Sequence, residues 1–257
     1  MTYRSLSLYL SMARHFRNFP ALIDAVRTGR TVDYAVMRNG LRFHHPSDRD
    51  GLVSVLVETW IEETYTGSGF YSPKPDDVVW DIGANVGVFA IYVAHKSPKC
   101  RILALEPFPE NFEYLCRNIE ANRIRNIEPR QIALGARASA AYMVQVGARS
   151  LDHVLRADPG PGVHYQVETC ALEDLLALHH TDRVSLLKVD IEGSEDDVFA
   201  AASPAVLRRF ERIAVEYHDN LRPGTLQLLK DRLVGTHSVD LRPSPVPGCG
   251  VIRAALR

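Results

Sequence analysis

Lys188, Asp190 and Glu192 alternate along the segment Leu187-Lys188-Val189-Asp190-Ile191-Glu192-Gly193-Ser194-Glu195, and Glu216 and His218 repeat that spacing in Val215-Glu216-Tyr217-His218. In an extended strand, period two puts alternate side chains on one side. A buried strand tolerates such charges only with partners, so Lys188 is expected to pair Asp190 or Glu192, or to hold a substrate. Carboxylates and an imidazole placed together take a proton from a poorly nucleophilic group such as a hydroxyl. The intrinsic pKa of histidine suits His218 to that task near neutral pH, or to binding the acceptor. Asp190, Glu192 and Asp219 could instead hold a divalent cation that acidifies the hydroxyl, and oxygen ligands would favour Mg²⁺ over Zn²⁺. The bland alternative is an ion-pair network that shapes the loop. Glu195 reads as an acid at a helix N-terminus, favoured by the dipole.

A second constellation lies upstream. Val78-Val79-Trp80 is a short apolar strand that runs into Asp81-Ile82-Gly83-Ala84-Asn85-Val86-Gly87, and a helical stretch follows. Strand, glycine-rich turn and helix make the first unit of a nucleotide-binding sheet. A dinucleotide fingerprint needs glycines at relative positions 1, 3 and 6; here Asn85 and Val88 occupy the last two. Asp81, just before the turn, repels a pyrophosphate and welcomes a cation. Glu106 lies 23 residues after Gly83, at the end of the next apolar run, where an acid accepts both ribose hydroxyls. Pro107 follows it. Asn111, one turn into the next helix, supports Glu106 or caps the helix. Gln131 and Ala133 end the third strand; Gln131 there is either a ligand contact or a solvent-facing residue.

The elements that must position these groups alternate from residue 76 onward. Strands are predicted at 77–82, 101–106, 127–133, 184–190 and 213–218, with helices at 87–96, 109–122, 172–178, 194–209 and 224–233. Strand–helix alternation is the signature of a parallel sheet. A final antiparallel pair is expected at about 237–242 and 249–256, and residues 139–170 read as short antiparallel strands or an insertion loop. Ahead of the sheet, residues 5–28 have a helical pattern of apolar and basic positions (Leu6, Leu10, Ala13, Arg14, Arg17), read as a packing helix or substrate lid in preference to a membrane-surface helix. A hairpin with an Asn39-Gly40 turn is expected over 36–43, and a helix over 51–65. Glu58, Glu62 and Tyr65 would share one face of that helix, either closing over a bound ligand or forming an exposed polar face.

The turn D-x-G-x-N-x-G resembles motif I of class I S-adenosylmethionine (SAM) methyltransferases. The run Leu187–Glu195 is similar to the L-K-x-D-x-E-G-x-E signature of the FkbM family of these enzymes, and Glu106-Pro107, Ala133-Leu134-Gly135 and Val215–His218 match that family as well. The resemblance spans roughly residues 36–220. It implies an α/β fold, a Rossmann-like seven-stranded methyltransferase sheet flanked by helices over 76–257. A small helix–hairpin–helix extension over 1–75 would be the substrate lid. It implies SAM as cofactor, bound by Asp81, Gly83, Asn85, Gly87, Glu106, Pro107, Asn111, Gln131, Ala133 and Asp190. The end of the third strand, beside the adenine, would offer backbone groups or Gln131 to the exocyclic amine. The implied reaction is O-methylation of a small metabolite such as a sugar or polyketide, with Lys188, Asp190, Glu192 and His218 as catalytic residues; a divalent metal such as Mg²⁺ is an alternative not favoured. An N-methyltransferase on the same fold, or a SAM-binding protein without chemistry, are the alternatives.

Bulk properties narrow the partners. In 257 residues the net charge is −1, which gives no global field for nucleic acid or an anionic membrane. The content is 46% hydrophobic and 24% charged, ordinary for a soluble protein. Cys100, Cys116, Cys170 and Cys249 form no C-x-x-C pair, which argues against zinc and suits a reducing cytoplasm. No run reaches the roughly 20 apolar residues of a membrane span. The serine-interrupted run near the N-terminus reads as mature protein and not as a signal peptide. A small-molecule acceptor is the expected partner, and a homo-oligomer stays open.

Overall fold

The computed structural model describes residues 4–28, 30, 32–46, 51–145, 153–160 and 164–257. Two helices, α1 (Arg4–His15) and α2 (Phe19–Thr28), precede a hairpin of β1 (Tyr34–Val36) and β2 (Arg42–His44) and helix α3 (Gly51–Trp60). The alternating part runs β3 (Val78–Ile82), α4 (Val88–Lys96), β4 (Arg101–Leu105), α5 (Pro109–Ala121) and β5 (Ile127–Arg130). Then come β6 (Ala133–Leu134), β7 (Ser139–Gln145), β8 (His153–Arg156), β9 (His164–Cys170) and α6 (Leu172–Leu178). The chain ends with β10 (Leu186–Val189), α7 (Glu195–Ala201), α8 (Pro204–Leu207), β11 (Arg212–His218), α9 (Thr225–Leu233), β12 (His237–Pro243) and β13 (Cys249–Leu256).

The main sheet has seven strands in the order β12-β13-β11-β10-β3-β4-β5. From β3 the chain winds outward to β4 and β5, then crosses back to β10 and β11 on the other side. The strand order therefore reverses between β3 and β10, and an open α/β sheet binds its ligand in the crevice at the carboxyl ends of such a pair. Both motifs end there. β10 and β3 are parallel and in register, with Lys188 opposite Asp81 and Val189 opposite Ile82. Antiparallel β12 and β13 close the far edge as the expected C-terminal hairpin.

The central strands are apolar on both faces, as a sheet covered by helices on each side requires. Along β3, Val79 joins one core with the residues of α4, while Trp80 and Ile82 join the other with those of α6, α7 and α9. The N-terminal segment packs into the α4 core. Phe43 and Trp60 meet edge-on at 6.4 Å, and Trp60 meets Tyr92 of α4 edge-on at 5.0 Å. Asn118 of α5 locks the hairpin down, accepting from the His44 amide at 2.7 Å and donating to the His44 carbonyl at 2.9 Å.

Several boundaries differ from expectation. The predicted strand 127–133 breaks after Arg130, and Ala133–Leu134 belongs to a separate four-stranded sheet with β7, β8 and β9. The 139–170 segment is thus largely strand, the first of its two readings. The predicted helix 194–209 is interrupted, because Pro204 cannot continue α7 and instead starts α8, capped by Ser203. The 5–28 stretch is two helices with a break at Phe16–Asn18. Met12, Phe16, Leu22 and Ala25 are buried, while Leu10 is exposed. Helix α3 stops at Trp60, five residues before the expected end.

Candidate active site

The glycine-rich turn is shaped by close backbone approach. Gly83 has φ +75°, and a Cβ there would lie 1.7 Å from the Asp190 carbonyl oxygen. The two motifs thus touch through backbone, and only glycine fits. Asn85 also takes the left-handed conformation, φ 50°, which asparagine tolerates. Gly87 serves packing: a Cβ there would meet Leu115 Cδ1 at 2.6 Å. It starts α4 and does not line the cleft above the turn.

That cleft extends over the carboxyl ends of β3, β4 and β10. At its middle stands Glu106, buried, with Oε2 accepting from the Asn85 amide at 2.8 Å and Oε1 from the Phe108 amide at 2.9 Å. Each oxygen keeps a further lone pair, so the carboxylate can take two hydroxyls at once. Burial pushes its pKa up to about 7 against the pull of the two amides, and added hydroxyl donors would favour the charged form. Pro107 and Asn111 line the cleft beside it, and an apolar slot of Ile132, Ala133, Leu134, Met143 and Leu155 lies on one side. Gln131 is exposed and outside this lining, because the chain has left the sheet by that point.

On the other side the cleft ends among charges. Asp81 does not face it. Its carboxylate is fully buried below the turn, accepts from the Ala90 amide at 3.1 Å and sits 3.2 Å from Lys188 Nζ, its in-register neighbour. Lys188 also donates to the Gly83 carbonyl at 2.8 Å and stands 3.7 Å from Asp190, so its partners are Asp81 and Asp190 and not Glu192. Burial works against the ammonium, and the two aspartates outweigh it, keeping Lys188 charged.

Glu192, at φ 53° on the turn after β10, turns its carboxylate back toward His218 at the end of β11, 3.5 Å from Nε2. The other ring nitrogen, Nδ1, is 2.8 Å from Oε1 of Glu195, a wholly buried residue whose Oε2 accepts from the Gly193 amide at 3.0 Å. Burial lowers the pKa of His218, but Glu195, Glu192 and Asp190 overcome this and raise it to about 10. Burial and the charge of Asp190 push Glu192 up to about 8, and the same two causes push Glu216 up to about 7. Asp190, Glu192 and His218 bring potential ligand atoms within 4.8 Å of one another. Asp219, expected among the metal ligands, instead accepts from the Leu226 amide at 2.8 Å and caps the start of α9.

The segment after α3 completes the wall. Tyr65 donates to Glu216 at 2.8 Å, lies 3.4 Å from Asp190 and holds Lys188 Nζ 5.4 Å from its ring centre. Burial and the surrounding carboxylates keep its phenol protonated, so it acts as a donor. Glu58 lines the cleft, while Glu62 faces a neighbouring hollow beside Arg242 and Ser244. The three do not share a helical face, because α3 ends before Glu62. The sequence reading of Glu195 as a helix-end acid missed its contact with His218. The signal was available: Glu195 closes the E-G-x-E run, and its burial depends on a turn that spacing does not reveal.

A sheet with this order, a glycine turn, a buried acid held by two backbone amides just past the second strand and a charged cluster beside them are the features of a SAM-dependent methyltransferase. Residues 81–232 match the family described as the Methyltransferase FkbM domain, and the chain belongs to that family. It is 27% identical to Methyltransferase 1 of Beauveria bassiana (strain ARSEF 2860) over 220 residues, 78% of this chain and 84% of that protein. It is 26% identical to the 31-O-demethyl-FK506 methyltransferase FkbM of Streptomyces tacrolimicus, over 57% of this chain and 67% of that one. Among solved structures, M. jannaschii TYW2 in complex with AdoMet superposes with a TM-score of 0.45 at 16% identity, covering 86% of this chain and 85% of that one. The cofactor is S-adenosylmethionine. No helix among the described residues is long and apolar enough to cross a membrane.

Proposed function

We propose that this methyltransferase acts on a hydroxyl oxygen of a small metabolite in the cytoplasm, with residues 1–75 helping to enclose the acceptor. The observation that carries this reading is the convergence of Lys188, Asp190 and Glu192 on the end of the cleft away from the apolar slot, with His218 behind Glu192, whose carboxyl is pushed up to about 8. An alcohol needs such a base, whereas a neutral amine needs little help.

Bound in the cleft, S-adenosylmethionine supplies an electrophilic methyl group on a sulfonium, which leaves as the thioether S-adenosylhomocysteine. Glu106 fixes the ribose. Asp190 and Lys188 position the acceptor, whose oxygen must come within about 3–3.5 Å of the methyl in line with the departing sulfur. As the oxygen–carbon bond forms, the hydroxyl proton passes to the Glu192 carboxylate. His218 already holds its proton through Glu195, so its role is that of a fixed imidazolium whose charge favours the ionised form of Glu192, the form that takes the proton, against the burial and the Asp190 charge that oppose it. The sequence reading has His218 as the base or as an acceptor-binding group; here the base is Glu192.

The test is a panel of sugars, polyketide alcohols and amines incubated with the enzyme and SAM. Products are read by mass spectrometry for one added methyl and by NMR for its position. A new methoxy resonance is expected. Transfer only to nitrogen would overturn the assignment.

A further inference from the structure

We propose that Thr59 and Glu58 of helix α3 bind the α-ammonium of the methionyl arm of S-adenosylmethionine, which makes the N-terminal segment a working part of the cofactor site. The inference rests on the reading of the cleft as the cofactor site and adds residues that lie outside the family match at 81–232.

The direction of the ligand follows from its anchors. Glu106 takes the ribose. The apolar slot of Ala133, Met143 and Leu155 on one side suits a purine ring. The arm on the opposite carbon of the ribose must then run the other way, over Gly83 and Ala84. The wall reached in that direction is α3, through Val55, Glu58 and Thr59. These positions are three and four residues apart, so they form one stripe along the helix.

Thr59 carries the second observation. It is 2% exposed, lines the cleft, and its Oγ1 has no hydrogen-bond partner among the described residues. A threonine inside a helix commonly satisfies its hydroxyl on the carbonyl three or four residues back. This one does not, and buried polar atoms without partners are rare enough to require a reason. A ligand group in the cleft is one. An ammonium brings three donors and no acceptor, and Thr59 and Glu58, which both line the cleft, supply an uncommitted hydroxyl oxygen and a carboxyl group.

The charges agree in sign. Glu58 is surrounded by Glu216, Asp190 and Glu62, and burial with these like charges pushes its pKa up to about 8, opposed by Lys188. A cation beside Glu58 relieves that repulsion. A carboxylate head group placed there would add to it.

The experiment compares three probes by calorimetry on the full chain: S-adenosylhomocysteine, its decarboxylated amine S-adenosyl-3-thiopropylamine, and 5′-methylthioadenosine, which keeps the nucleoside and the thioether but has no amino-acid head. Thr59→Val and Glu58→Gln should each weaken the two ammonium-bearing probes about tenfold, near 1.4 kcal/mol. Binding of 5′-methylthioadenosine should be unchanged, which also shows that the variants fold. Equal losses for all three probes, or none for any, would overturn the assignment. Loss for S-adenosylhomocysteine alone would move the contact to the carboxylate and overturn it too. Failure of the unmodified protein to bind any probe would reject the cofactor reading itself, a result distinct from the others.

Discussion

His218 Nδ1 lies 2.8 Å from Oε1 of Glu195, and Glu195 is the more deeply buried of the two. The carboxylate is held in turn by the Gly193 amide, so it cannot swing away from the ring. The pair leaves Nε2 of His218 toward Glu192 and holds the ring protonated. Replacing Glu195 by Gln keeps the shape and the amide contacts but removes the charge. The pKa of His218, followed by NMR of the ring carbons, should fall from about 10 toward its ordinary 6.5. A value unmoved by Glu195→Gln would mean that Glu192 and Asp190 alone control the imidazole.

The same cluster sets the pH dependence of stability. His218 is raised from 6.5 to about 10, Glu192 from 4.5 to about 8 and Glu216 from 4.5 to about 7. In all three the folded protein holds protons that the unfolded chain gives up, so stability falls as pH rises. The carboxyl contribution is complete below pH 4.5 and is lost by about 8; the His218 contribution is complete below 6.5 and is lost by about 10. Thermal melting of the cofactor-free protein should therefore decline between neutral pH and 10, and Glu192→Gln should flatten the early part of the decline. A melting temperature that rises over that interval would contradict the assigned shifts.

Glu106 offers a test of the cofactor anchor. Its two oxygens are oriented by backbone amides, and in the proposed role truncation to Ala would remove charge-assisted hydrogen bonds to both ribose hydroxyls. Affinity for S-adenosylmethionine should drop by about 2–3 kcal/mol. The fold should persist, because the residue stands just beyond β4. Calorimetry giving an unchanged dissociation constant would take Glu106 out of the site.

Much of this geometry was legible in the sequence where backbone alone dictates it. The glycine turn and the acid at the end of the second strand follow from short motifs tied to strand ends, the seven-stranded sheet from the family resemblance, and period two brings Lys188 and Asp190 to one edge. Side-chain destinations were less legible. Asp81 reads as an acid facing a cation, and it does meet one, but the cation is Lys188 beneath the turn. Asp219 reads as a metal ligand next to His218 and is spent on a helix cap. Gln131 reads as the end of a strand that has already left the sheet. For Asp81 and Asp219 a contact invisible to spacing competes for the group; for Gln131 the break after Arg130 turns the chain away from the sheet. The N-terminal segment is the extreme case: Tyr65 reaches Glu216, 151 residues away in the chain, and no motif announces it.

The charged end of the cleft gives the sharpest prediction about chemistry. Asp190 touches the cleft, pairs Lys188 and lies within reach of Tyr65, while Glu192 faces His218. If Glu192 takes the hydroxyl proton, Glu192→Gln should cut turnover by about 10²–10⁴-fold, the usual worth of a placed acid–base group. Cofactor affinity should stay nearly constant. Asp190→Asn should fall in the same range, because it frees Lys188 and Tyr65 from their shared partner and loosens the acceptor's position. The two variants differ in their pH profiles. Loss of Glu192 removes the rise in rate near pH 8, where its carboxyl ionises, whereas loss of Asp190 keeps the rise and shifts it lower, since a like charge beside Glu192 has gone. Single-turnover rates measured across pH with SAM-saturated enzyme separate these outcomes. Full activity in both variants would show that the cluster only shapes the loop, and would leave the methyltransferase with a different base.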